Sequence, residues 1–218
     1  MRLAGVIFDL DGTLGDTLPV CFAAFRRTMD EFSACHYSDE EIAGLFGPSE
    51  EGIIQRLVPD RWEACLKAYL TAYERESARN ARLFPGIETA LRLLKERGVA
   101  LAIVTGKGAR SAAISLRHLG LAGFFDMVET GSPAGGIKPQ SIRNVLAKWD
   151  AFPHEVAYVG DAPSDIEAAR EAGVIPLGAA WAPTTSAQEL ATMAPLEIFH
   201  IVDCFVQWIE TEVEPNHR

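Results

Sequence analysis

Cysteine is scarce in this chain, and the few cysteines present are far apart. There are four in 218 residues. They form no CxxC pair and show no metal-ligand spacing with histidine, which argues against a disulfide scaffold and against a zinc site. We therefore predict four free thiols in a reducing compartment. The cysteines are Cys21, Cys35, Cys65 and Cys204.

The chain also lacks an excess of positive charge and a long hydrophobic run. Lysine and arginine total 20 against 30 acidic residues, for a formal net charge of −10. Such a chain repels nucleic acid and anionic membranes at long range. The first apolar run is interrupted by Asp9 and Asp11, and no later stretch has the length of a membrane span. We predict a cytoplasmic monomer or homodimer that acts on a small molecule.

What the sequence does contain is an alternation of short apolar runs with helical patterns. Continuous apolar runs without alternation are typical of parallel strands that are buried on both faces. Ile87, Ala90, Leu91 and Leu94 follow helical spacing before a stop at Gly98. The alternation predicts an open α/β sheet with right-handed crossovers. The predicted strands are 3–8, 99–104, 125–128, 156–159, 174–177 and 198–202.

One long segment departs from this alternation. Residues 15–83 read almost entirely as helix, with aromatic residues such as Phe22, Phe25 and Tyr69 at helical spacing. Aromatic stripes of this kind belong more often to a core than to a binding site, and we assign them to the core. The pattern predicts a small all-helical cap domain at 15–83, inserted into an α/β core domain formed by 1–14 and 84–218.

Polar residues follow the predicted strands at their carboxyl ends, where open parallel sheets bind ligands. Four acids and one lysine would therefore meet at one edge. Clustered carboxylates repel one another, and a single lysine is too little counter-charge for four of them. A Mg²⁺ ion, which prefers oxygen ligands, would supply the remainder. The predicted metal group is Asp9, Asp11, Asp161 and Asp165, and the lysine is Lys138.

Each position also suggests a chemical role. Asp9 lies where a strand opens into a turn, so that it can attack phosphorus as a nucleophile. Asp11 can protonate the leaving alcohol and later deprotonate water. Gly12 allows a sharp turn whose backbone N–H groups can hold phosphate oxygens. The Thr105 hydroxyl, the Gly106 amide and the Lys138 ammonium would bind the phosphate. Lys107 either approaches that phosphate or is a solvated loop lysine.

The motifs together resemble the haloacid dehalogenase superfamily. They read DLDGTL at 9–14, VTGK at 104–107, KP at 138–139 and GDAPSD at 160–165. Asp16-Thr17 and Gly47-Pro48-Ser49 are similar to phosphoglycolate phosphatases. The resemblance implies a Rossmann-like core with a helical cap after strand one. It also implies a Mg²⁺-dependent phosphatase that hydrolyses a small, phosphoglycolate-like monoester through an aspartyl-phosphate on Asp9.

Three other functions are considered. Dehalogenases lack an acid at the position of Asp11, which argues against that branch. Phosphosugar mutases usually carry an arginine in the cap loop, and the loop at 47–52 has none, although Arg56 lies one turn beyond. A non-catalytic regulatory protein would usually have lost an acid or the lysine. We expect the cap loop, through Ser49 and Glu50, to contact the substrate and set specificity.

Overall fold

The computed structural model describes residues 1–33 and 35–216. Within them, no helix combines the length and the apolar character that a membrane crossing requires. The strands are β1 Gly5–Phe8, β2 Gly15–Asp16, β3 Arg82–Leu83, β4 Ala100–Val104, β5 Met127–Glu129, β6 Val156–Gly160, β7 Ile175–Ala179 and β8 Glu197–Phe199. The α-helices are α1 Leu18–Phe32, α2 Asp39–Ala43, α3 Glu50–Leu57, α4 Trp62–Asn80, α5 Ile87–Glu96, α6 Ala109–His118, α7 Lys138–Trp149, α8 Pro163–Ala172, α9 Ala187–Thr192 and α10 Val202–Glu212.

Six of the strands form one parallel sheet in the order β5-β4-β1-β6-β7-β8. The first strand of the chain is central, because Gly5 aligns with Ala100 of β4 on one side and with Val156 of β6 on the other. This is the predicted Rossmann-like α/β fold. All six predicted strands correspond to observed ones. The last prediction was wrong at its end, since β8 stops at Phe199 and α10 begins at Val202.

The two faces of the sheet are covered by different helices. Val6 and Phe8 of β1 are fully buried on one side, and Ile7 is buried in a second cluster on the other. Helices α5 and α10 pack together on the first side, while α7 and α8 pack together on the second. Burial on both faces explains why β1 is apolar without alternation.

The segment between β2 and β3 contains helices α1 to α4 and one short 3₁₀ turn at Pro59–Arg61. Its two ends are not helical as predicted, because Gly15 pairs with Leu83 and Asp16 with Arg82 in an antiparallel ribbon. Helix α1 packs against α4, and α4 packs against α6 of the sheet layer. We call residues 18–80 the helical segment. Its division from the rest as a cap domain stays a prediction.

A carboxylate joins the helical segment to the sheet layer. Glu50, the first residue of α3, accepts hydrogen bonds from the Gly108 N–H and the Ser111 hydroxyl, both at 2.6 Å. The Lys107 ammonium lies 3.5 Å from the same carboxylate. Next to it, the Ser49 N–H donates to the Ser132 carbonyl at 2.8 Å. The predicted cap loop is therefore held on the sheet layer by charge-assisted hydrogen bonds.

We expect Glu50→Ala to lower the free energy of unfolding by about 1–3 kcal/mol, because the Gly108 and Ser111 donors lose their acceptor. Urea unfolding measures the change. The matched control is Glu51→Ala, which removes the neighbouring acid of the same helix and should cost less than half as much. Equal losses in the two variants would contradict the role given to Glu50.

Candidate active site

The carboxyl ends of β1, β4 and β6 place the predicted polar residues at one edge of the sheet. Asp9 continues β1, and its N–H donates to the Val159 carbonyl at 2.9 Å. Thr105 continues β4 in the same way, donating to the Glu129 carbonyl at 3.1 Å. Asp161 follows β6. Lys138 begins α7, and Asp165 lies in the first turn of α8. The strand ends therefore converge as expected.

The centre of this edge is an ion pair shared by three side chains. The Lys138 ammonium lies 3.1 Å from Asp9 Oδ1 and 2.5 Å from Asp165 Oδ1. Asp165 has no exposed surface. The Tyr158 hydroxyl donates to its Oδ1 at 3.1 Å, and the Ala162 N–H donates to its Oδ2 at 3.1 Å. Both oxygens of this buried carboxylate are therefore hydrogen-bonded.

Burial dominates the electrostatics of these groups. It raises the pKa of Asp9 to about 7, against the lowering effect of Lys138, while Asp165 and Asp11 add to the rise. Burial lowers the pKa of Lys138, but Asp165 and Asp9 outweigh it and hold that pKa well above its usual range. The lysine stays charged, and the acids around it are short of positive charge.

Three carboxylates form a compact group that can hold a cation. One oxygen each from Asp9, Asp161 and Asp165 lies within 4.8 Å of the others. Loss of hydration raises the pKa of Asp161 well above its usual range, and Asp9 and Asp165 raise it further. The three carboxylates offer hard oxygen ligands, and the single Lys138 ammonium does not neutralise them. Such a set of ligands suits a divalent ion of the Mg²⁺ type.

Two threonines hold Asp161 in place. The Thr13 hydroxyl donates to its Oδ1 at 3.0 Å and the Thr185 hydroxyl donates to its Oδ2 at 3.2 Å. Gly12, at a φ of +80°, passes so close that a Cβ there would lie 2.3 Å from Asp161 Oδ2. The Gly12 N–H, which we expected to face phosphate, donates to the Gly15 carbonyl at 3.0 Å. In this structure Gly12 therefore makes room for the acid instead.

Asp11 is the one predicted metal residue whose carboxylate lies outside the group. Its Oδ1 accepts from the Thr17 hydroxyl at 2.5 Å, and its Oδ2 lies 3.1 Å from the Lys107 ammonium. These two partners turn the carboxylate away from Asp161 and Asp165. Asp11 still lines the same cavity as Asp9.

Lys107 is a buried residue and not the solvated loop lysine that we considered. Its side chain is 2% exposed. Besides Asp11 and Glu50, the ammonium contacts the Cys21 sulfur at 3.0 Å and the Tyr73 ring at 4.5 Å from the centroid. Burial raises the pKa of the Cys21 thiol to about 12, so this neighbour stays neutral. Side chains from both sides of the cavity therefore surround the Lys107 ammonium.

The predicted phosphate-binding and cap-loop residues differ in their surroundings. Thr105 is 3% exposed, and both it and Gly106 line the cavity next to Asp9. Glu50 lines it as well, but its carboxylate is bonded to the sheet layer as described above. The Ser49 hydroxyl is buried and has no hydrogen-bond partner within residues 1–33 and 35–216. The substrate contacts assigned to Ser49 and Glu50 stay predictions.

Sequence reasoning missed the positioning roles of four residues. The partners of Lys107 and Thr185 are distant in sequence, whereas Thr17 lies six residues from Asp11 and Tyr158 seven residues from Asp165. A hydroxyl one turn beyond the first motif is the only signal that could have been used. The missed residues are Thr17, Lys107, Tyr158 and Thr185.

Comparison with known proteins agrees with this geometry. A pyrophosphatase, PpaX, from Bacillus pumilus is 32% identical over 81% of this chain and 82% of its own length. A phosphoglycolate phosphatase from Synechococcus elongatus is 29% identical over 82% of this chain and 84% of its own. A predicted phosphoglycolate phosphatase from Haemophilus somnus has a crystal structure with a TM-score of 0.82 at 23% identity, covering 95% of this chain and 98% of that chain, and this likeness concerns the fold alone.

The family comparison covers most of the chain. The model of haloacid dehalogenase-like hydrolases matches residues 6–179, which include all four motifs. The sheet order, the edge where the acids meet and the motif spacing agree with that match. The chain therefore belongs to the haloacid dehalogenase-like hydrolase family.

Proposed function

We propose that this chain is a phosphatase that hydrolyses a small phosphate monoester with Asp9 as the nucleophile and Mg²⁺ as cofactor. The observation that carries the proposal is the carboxylate of Asp9, held by Lys138 within a group of three acids and opening onto the same cavity as Asp11. A nucleophile and an acid–base residue at one cavity are what phosphoryl transfer through a covalent intermediate requires.

The reaction proceeds in two displacements. A carboxylate oxygen of Asp9 attacks phosphorus, the bond from phosphorus to the ester oxygen breaks, and Asp11 gives its proton to the departing alcohol. The phosphoryl group now rests on Asp9. Asp11 then takes a proton from water, whose oxygen attacks phosphorus, and phosphate leaves while the Asp9 carboxylate is restored. Thr105, Gly106 and Lys138 bind the phosphate oxygens in both steps.

The residues present fit a divalent cation. Asp9, Asp161 and Asp165 would hold it, since their oxygens are close together and share only one ammonium. When bound, the ion supplies positive charge that stabilises the charge on the transferring phosphoryl group. Thr13 and Thr185 keep Asp161 turned toward the group.

The helical segment supports this chemistry as a cap. It covers one side of the cavity, and its two connections to the sheet layer are the paired strands β2 and β3. Closure would exclude water while the alcohol departs, and opening would admit the hydrolytic water and release phosphate. We propose that residues 15–83 act in this way.

The mutase alternative has less support. It needs a cationic group for a second phosphate, and Arg56 is exposed outside the cavity. In the described part of the chain, no arginine lines the cavity. A regulatory protein without activity is also disfavoured, because the nucleophile, the lysine and the acid group are all in place.

Asp9→Asn should abolish turnover and leave the fold intact, because the amide is isosteric but a poor nucleophile. Loss of one negative charge from the acid group should keep the melting temperature unchanged or raise it slightly. Phosphate release and thermal unfolding measure the two effects. The control is Asp60→Asn at an exposed position, which should retain activity. Turnover near that of the unmodified protein in Asp9→Asn would exclude the covalent mechanism.

Activity should depend on Mg²⁺ and be lost reversibly on addition of EDTA. Mg²⁺ should also raise the melting temperature of the unmodified protein, since it offsets repulsion among the three acids, and should raise it less in Asp161→Asn. Ca²⁺ should inhibit, because its larger and looser coordination shell lets Asp9 chelate the ion instead of attacking. Full turnover after exhaustive chelation would contradict the assignment.

Asp11→Asn should lower kcat by about 10²–10⁴-fold on an alkyl phosphate, the usual value of general acid–base help. The loss in the first step should be smaller on p-nitrophenyl phosphate, because nitrophenolate departs without a proton. Burst kinetics separate that step from hydrolysis of the intermediate. Equal losses on both substrates in the first step would argue against Asp11 as the acid.

A further inference from the structure

The cavity beside Asp9 is much larger than a phosphate group needs. Its volume is about 970 Å³, near the top of the range of about 300–1,000 Å³ for sites that hold small molecules. It extends from the edge of the sheet to the underside of the helical segment. The cavity therefore leaves room for the alcohol part of a substrate between the phosphate site and the helical segment.

The helical segment contributes four aromatic residues to the cavity wall, beside aliphatic residues and the acids Asp39, Glu40 and Glu50. We assigned its aromatic residues to the core, and they do pack there, but they also line the cavity. The rings of Phe22 and Phe46 stack with centroids 6.1 Å apart and an interplanar angle of 15°. Phe25 and Tyr69 meet edge to face at 6.3 Å. The aliphatic residues Leu18, Ile42 and Ile53 also line the cavity.

The charges in the same cavity are arranged against an anionic leaving group. Of the described residues, the lining holds two cations, and each already lies between two acids: Lys138 between Asp9 and Asp165, and Lys107 between Asp11 and Glu50. The nearby Arg26 is bound to Asp39. Other charged residues of the lining are acidic, namely Asp39, Glu40, Glu167 and Glu171. Beyond Lys138 and the proposed Mg²⁺ ion, which serve the transferring phosphate, a second phosphate or a carboxylate would meet these acids without a free cationic partner among the described residues.

We propose that the substrate is a phosphate monoester of an apolar, uncharged alcohol, aryl or alkyl, whose body packs against Leu18, Phe22 and Phe46. This inference rests on the proposed phosphatase function. It adds that phosphoglycolate, pyrophosphate and bisphosphates, whose leaving groups carry negative charge, are poor substrates of this chain. Specificity comes from burial of the apolar alcohol and from repulsion between the acidic residues of the cavity and anionic leaving groups.

A matched pair of alkyl esters tests the proposal. Hexyl phosphate and its ω-carboxy derivative of the same chain length have alcohols of similar reactivity and differ in a terminal charge. With Mg²⁺ present, kcat/KM for hexyl phosphate should exceed that for the ω-carboxy ester at least about tenfold. From methyl to hexyl phosphate, kcat/KM should rise by up to about fourfold for each methylene that enters the cavity.

Two substitutions at Phe46 test whether the alcohol part of the substrate binds against the helical segment. Phe46 is 46% exposed, so that its replacement should preserve the fold. Phe46→Ala should raise KM for hexyl phosphate more than for methyl phosphate, and Phe46→Arg should shift preference toward the ω-carboxy ester. Phe152→Ala is the control, because Phe152 is exposed away from the cavity and its loss should leave both constants unchanged.

The outcomes separate the two claims. Equal or better turnover of the ω-carboxy ester, of phosphoglycolate or of pyrophosphate would overturn the apolar substrate and leave the phosphatase function standing. No turnover of these esters and none of p-nitrophenyl phosphate would overturn both.

Discussion

The site depends on one lysine that two carboxylates share where little water reaches. Lys138 joins Asp9, at the end of the central strand, to Asp165, in the first turn of α8. A buried charge is costly unless it is paired and hydrogen-bonded. Tyr158 and the Ala162 N–H supply the remaining bonds to Asp165. Separate elements of the sheet layer therefore hold the counter-charge of Asp9, the proposed nucleophile.

A second lysine also lies between two carboxylates, on the side of the cavity that faces the helical segment. Lys107 lies between Asp11 and Glu50, with Cys21 and Tyr73 around it. Asp11 lies at the candidate active site, whereas Glu50 belongs to the helical segment. An ammonium placed between them connects the position of the helical segment to the electrostatics of Asp11, the proposed acid–base residue. The two lysines together account for most of the positive charge in an acidic cavity.

The sequence predicted the features that depend on local pattern. The continuous apolar runs of β1, β4 and β6 are long enough to be recognised as strands in the sequence. The polar residues that follow them appear at the edge where parallel strands end. The ribbon of β2 and β3 was not predicted, because two residues carry no periodicity. The burial of Lys107 was not predicted either, since its neighbours Cys21, Glu50 and Tyr73 lie far away in sequence. The limit of β8 was misread because apolar residues continue into α10.

The aromatic residues of α1 show a different limit. Helical spacing predicts which face of α1 is buried, and Phe22 and Phe25 are buried. Spacing does not tell whether the surface that they cover is other protein or a space for a ligand. That distinction depends on how far the helical segment stands from the sheet, which is set by contacts such as that of Glu50 with Gly108.

The central position of β1 has a consequence for how the protein is made. The strand that precedes the proposed nucleophile is made before the helical segment, yet both of its neighbours in the sheet, β4 and β6, come after that whole segment. During synthesis both edges of this strand are unpaired until β4 has been translated to Val104, and one edge stays unpaired until β6 has been translated to Gly160. Closing such long loops is slow, and an unpaired apolar strand is prone to aggregate. The same topology that assembles the site from three distant elements thus delays its formation until Asp165 has been added.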